Sequence, residues 1–68
     1  MKSMEIMEIV CAMNNYKINA KFFADFMNDF FCFVEAIRYD LKNNLVKVFV
    51  YEDAEADIPF FLERYGIQ

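Results

Sequence analysis

The chain has no histidine, no threonine and no tryptophan, and its single serine, Ser3, lies at the amino end. Ser-His and Cys-His nucleophile pairs need an imidazole base, so neither can be assembled within one copy of this chain. Glycine occurs once, at Gly66, which leaves no glycine-rich loop to cradle a phosphate group. Bases are few: seven against eleven acids, for a net charge of −4. Lys2, Lys17, Lys21, Arg38, Lys42, Lys47 and Arg64 are scattered along the chain, and no basic stripe of the kind that binds nucleic acid can be read from them. Long apolar runs are also lacking. Asp25, Asp29 and Glu35 interrupt the richest one, well short of the ~20 apolar residues that span a bilayer. Glu5 and Glu8 stand where a signal peptide would be apolar, so a cytoplasmic protein is expected, with Cys11 and Cys32 as reduced thiols. These absences predict a protein that is not an enzyme, carries no cofactor, and binds neither nucleic acid nor membrane.

What the chain does have is phenylalanine. It is 59% hydrophobic and 19% aromatic, and six of its nine Phe fall in FFADFMNDFFCF, residues 22–33. Aromatic rings bury the most area per residue, which is how a 68-residue chain can offset its conformational entropy within one small core. A single domain over residues 1–68 is expected.

The clearest local pattern is VEAIRYDLKNNLVKVFVYE, residues 34–52. With Asn43-Asn44 as a two-residue turn, Leu41 pairs with Val46, Tyr39 with Val48 and Ile37 with Val50, all on one face. The opposite face then pairs Asp40 with Lys47 and Arg38 with Phe49, the second a cation–π contact. Strands are predicted at about 34–41 and 45–52. The Phe-rich segment reads as a helix over about 19–31, capped by Asn19, with Phe22, Phe23, Phe26, Met27, Phe30 and Phe31 spread over an arc of about 180°. Such an arc exceeds what one sheet face covers, which marks Phe22 and Phe31 at its edges as candidates for contact with another molecule. EDAEAD, residues 52–57, reads as a solvated acidic loop leading into a helix at about 57–65. There Ile58, Phe61, Leu62 and Tyr65 form the inward stripe, Gly66 follows the end, and Phe60 faces out. The segment at about 4–11 alternates as a strand, although its Met, Glu and Ala also suit a helix.

Strand, helix, hairpin and helix make βαββα, an α+β ferredoxin-like order without its last strand. FVEAIRYDLKNNLVKVFVYEDAEADIPFFLERYGI resembles the second half of a heavy-metal-associated domain, with Val34, Ile37, Asp40, Val46, Val48, Leu62, Gly66 and Ile67 in its characteristic places. That resemblance implies an antiparallel sheet with two helices on one face. It also implies that the missing or truncated fourth strand leaves strand one open as an edge. The family's metal loop, Met-x-Cys-x-x-Cys, would fall where this chain reads NYKINA, with Lys17 and Ala20 in place of the thiolates, and Phe33 replaces a glycine. Two soft thiolates hold Cu(I) or Zn(II) in such loops, and lysine with alanine cannot. The remaining soft ligands are Cys11, Met13 and Cys32.

The expected function is therefore a non-catalytic interaction or self-association module, a homodimer or the binder of a protein partner. Phe22, Phe31, Phe49, Tyr51 and Phe60 are its candidate contact residues. The alternatives are a soft-metal carrier using Cys11, and an acidic winged-helix-like regulator or phage-type inhibitor with helices at 3–14, 19–27 and 30–41.

Overall fold

The computed structural model describes residues 4–65. In chain order the elements are β1 (Ile6–Val10), β2 (Asn15–Asn19), α1 (Phe23–Phe30), β3 (Val34–Asp40), β4 (Leu45–Val50) and α2 (Ile58–Tyr65). Short 3-10 helices precede α1 (Ala20–Phe22), follow it (Phe31–Phe33) and lead into α2 (Glu52–Asp57). The readings placed on Ser3, Gly66, Ile67 and the Tyr65 side chain lie outside the described residues.

The architecture is α+β, and its sheet departs from expectation. Four strands run in the order β2-β1-β4-β3. β1 pairs antiparallel with β2 and parallel with β4, and β3 pairs antiparallel with β4. The sheet is mixed rather than antiparallel, its fourth strand is β2 before α1, and β1 is central rather than an open edge. The cause is the NYKIN segment, residues 15–19. Instead of forming a loop into the helix, it turns back on β1 and supplies Ile18 opposite Met7 and Tyr16 opposite Ile9. That additional reversal also flips the second half of the chain relative to β1, which makes β1 and β4 parallel.

The β3–β4 hairpin forms with a different register. Tyr39 pairs with Val46, Ile37 with Val48 and Arg38 with Lys47, two residues away from the expected match. The turn comprises four residues, Leu41–Asn44, and Leu41 is 78% exposed. Asp40 sets this geometry: its carboxylate accepts the Asn43 backbone N–H at 3.1 Å and the Asn43 side-chain amide at 2.8 Å, closing an Asx-type turn one residue before Leu41. A slip of two preserves which face each side chain occupies. Arg38 therefore still lies over the Phe49 ring, 5.9 Å from its centroid, although the two residues are diagonal rather than opposite.

Both helices cover one face of the sheet. Met7, Ile9, Ile18, Val46, Val48 and Val50 from the strands join Phe26, Phe30, Ile58, Phe61 and Leu62 from the helices in one core. Asn19 caps the entry to the helical segment, its Oδ1 accepting the Lys21 N–H at 3.1 Å. Phe26 and Phe30 are buried, while the 3-10 turn after Phe30 leaves Phe31 70% exposed. The acidic segment Glu52–Asp57 is helical rather than a loop, and Ala54 within it is fully buried. Strands at 6–10 and 34–40 replace the first and third helices of the winged-helix alternative, which is thereby overturned. Among the described residues no helix is long and apolar enough to cross a membrane.

Candidate functional site

The soft ligands are not assembled. Cys11 directly follows β1 and is 7% exposed, whereas Met13, two residues on, is 85% exposed. Cys32 lies in the 3-10 turn after α1, exposed to solvent. Burial, with the nearby Glu55 carboxylate adding to it, pushes the Cys11 thiol up from 9.0 to about 11. Near neutral pH it therefore stays protonated, and thiolate ligation would have to overcome both effects. No cluster of three His, Cys, Asp or Glu side chains suited to a metal occurs among the described residues.

The five candidate contact residues separate into different surroundings. Phe49 lies on the sheet face away from the helices, half-buried under Arg38. Tyr51, just past the end of β4, is 47% exposed. Phe22 packs partly against the core with the Lys21 ammonium 5.2 Å from its ring centroid. Phe31 and Phe60 are the exposed members of the helical layer, at 70% and 71%.

Phe60 lines a groove. The groove, of about 620 Å³, runs between the carboxyl end of α1 and α2, and its apolar wall consists of Phe30, Phe33, Phe60 and Phe61. The sequence places these rings through two helical periodicities. Phe26 and Phe30 are one turn apart on α1, and Phe61 belongs to the inward stripe of α2 while Phe60 does not. The rings support one another. Phe26 and Phe30 stack at 5.1 Å, and Phe61 meets both edge-on, at 5.3 Å from Phe26 and 5.6 Å from Phe30. Phe33 tilts against Phe30 at 6.3 Å. Offset-stacked and edge-to-face pairs of this kind add about 0.5–1.5 kcal/mol each beyond their buried area, so Phe30, Phe33 and Phe61 are held against the core while Phe60 stands outside it.

The margin of the groove is acidic. Asp29, Asp57 and Glu63 line it with one base, Arg64, and all four are exposed. Arg64 reaches across from α2 to α1, its Nη2 donating to Asp29 Oδ2 at 3.0 Å. Asp57 and Glu63 take part in neither of the ion pairs found among the described residues. The arrangement offers ring surface for apolar groups and carboxylates for cations, and it contains no nucleophile–base pair. Sequence reasoning identified Phe60 as outward-facing but missed the groove, because α1 and α2 meet through residues some 35 positions apart, as in the Asp29–Arg64 pair.

No protein-family model, curated protein or solved structure matches the chain.

Proposed function

We propose that this chain is a non-catalytic protein-interaction module that binds a different protein through the groove between α1 and α2. The observation that carries this reading is Phe60, a large apolar side chain 71% exposed at the mouth of a groove walled by three further rings. An aromatic residue held open beside a preformed apolar recess is the usual form of an interface anchor. The scaffold is compatible with a ferredoxin-like plan in which β2 occupies the place beside β1 that the fourth strand would take. The likeness to heavy-metal-associated domains is then one of apolar spacing, without the thiolate pair.

The open β1 edge that motivated a homodimer is filled by β2, and electrostatics also favour a foreign partner. Pairing two copies groove to groove would bring the Asp57 and Glu63 carboxylates of both together.

Tagged wild type and Phe60→Ser, expressed in the native host, test the reading by partner capture. Phe60 lies outside the buried core, so the variant should fold, as circular dichroism can verify. A near-stoichiometric protein recovered with wild type and lost with Phe60→Ser is the expected result. The same set of proteins from both, or none from either, removes the proposal.

A further inference from the structure

On the strength of that interaction reading, the geometry points to the partner's chemistry: a basic amphipathic helix whose apolar side chains enter beside Phe60 and whose lysines or arginines meet Asp57 and Glu63. Three observations converge on this occupant. The wall is aromatic and preformed, because Phe30 and Phe61 are 8% and 1% exposed and locked into the core by ring contacts. At about 620 Å³, the groove has room for more than one large apolar side chain.

Charge supplies the second observation. Three carboxylates and one guanidinium line the groove, and the guanidinium is engaged with one of the three, Asp29. Asp57 and Glu63 are left facing solvent on a chain of net charge −4. An approaching basic segment is therefore attracted over the whole molecule and paired at the groove margin, whereas an acidic one is repelled at both ranges. The same field disfavours an anionic lipid surface.

The third observation is the groove's position between helices. Its lining comes from α1, α2 and their flanking 3-10 turns, and no strand contributes. An extended peptide would have no strand edge here on which to pair its backbone. A helix satisfies its own backbone and needs only a side-chain groove.

Fluorescence anisotropy with two labelled peptides of about 18 residues, roughly five helical turns, tests the inference. One carries Leu on one face and Lys on the other, and its counterpart has Glu in place of every Lys. Each is titrated with wild type, Phe60→Ser, the rim variant Asp57→Asn/Glu63→Gln, and a charge-matched control, Glu5→Gln/Glu35→Gln. The Leu/Lys peptide should bind wild type, with Phe60→Ser weakening it about tenfold. The rim variant should weaken it roughly fivefold and the control less than about twofold. The Leu/Glu peptide should bind at least about tenfold more weakly.

Equal binding of the two peptides overturns the inference, as does a control that loses as much as the rim variant, or no binding at all. Each of these outcomes leaves Phe60-dependent partner capture intact, so the interaction reading stands or falls separately. A Phe60-dependent dimer in sedimentation would seat a second copy in the groove and overturn it as well. Should the rim variant misfold, the salt dependence of wild-type binding replaces it. Affinity that does not weaken between about 50 and 500 mM salt rejects the charge pairing.

Discussion

Asn44 takes a positive φ of 54°, and no other non-glycine residue among those described does so. At that angle Cβ crowds the backbone carbonyl, a penalty asparagine bears better than most residues and glycine avoids. Asn44→Ala should therefore lose about 1 kcal/mol in urea unfolding, while Asn44→Gly should match wild type or exceed it slightly. Equal losses in the two variants would place the cost in the asparagine side chain instead. Cys11 supplies a second prediction at this scale. Its unfolded thiol ionises near 9.0 and its buried one near about 11, so the unfolded state releases the proton first as pH rises. The raised folded value means that its contribution is complete below pH 9.0 and is lost as pH climbs through about 11. Between about pH 8 and pH 11, wild type should lose on the order of 2 kcal/mol more stability than Cys11→Ala. Parallel losses in the two proteins would dissociate Cys11 from the alkaline transition.

Among the elements, β2 does the most to redirect the fold. It pairs only with β1 and contributes one fully buried side chain, Ile18, 1% exposed, between the sheet and the helical layer. β1 and β4 each have neighbours on both sides, whereas β2 and β3 are edges. Hydrogen exchange should follow this arrangement, with the amides of β1 and β4 slowest and those of β2 and β3 at least about tenfold faster. Ile18→Ala should cost about 2–4 kcal/mol and speed exchange in β1 along with β2. Uniform protection across the four strands would show that the sheet opens only as a unit. NYKIN carries a strand signal, since Tyr16 and Ile18 alternate with polar residues. The signal is weak because asparagine at both ends is a poor strand former and five residues is short. Its place in the sheet is set by Met7 and Ile9, which need apolar partners on the helix side. β3 is easier to read, since its extent and its alternation from Ile37 onward follow from a longer apolar pattern, although the irregularity between Val34 and Ala36 does not. Its register was not legible, because it depends on which residue starts the turn, and the Asp40 carboxylate decides that through two hydrogen bonds to Asn43.

At the scale of the whole molecule, aromatic surplus and charge define two surfaces. One sheet face is covered by both helices, and its core takes in the buried rings of Phe26, Phe30 and Phe61. The other carries charges of both signs, among them Glu8 and Lys47 at 3.9 Å, and shelters Phe49 beneath Arg38. The most exposed phenylalanine rings, Phe31 and Phe60, lie in the helical layer, and Phe60 stands beside the carboxylates of Asp57 and Glu63. Under the proposed reading, a partner docks on the helix side, where Phe60 and the groove lie, rather than on the opposite sheet face.

From the sequence alone follow the alternating faces of β4 and of β3 beyond its irregularity at Val34–Ala36, the helical stripes that bury Phe26 and Phe61, the outward turn of Phe60 and the lack of a histidine base. These depend on local periodicity and residue type, which the chain carries wherever it folds. Tertiary structure alone decided that β1 is central, that β1 and β4 run parallel, and that four rings and three carboxylates enclose one groove. Each of those outcomes joins residues far apart in the chain, and their meeting is chosen by competition for a single small core, which no local pattern encodes.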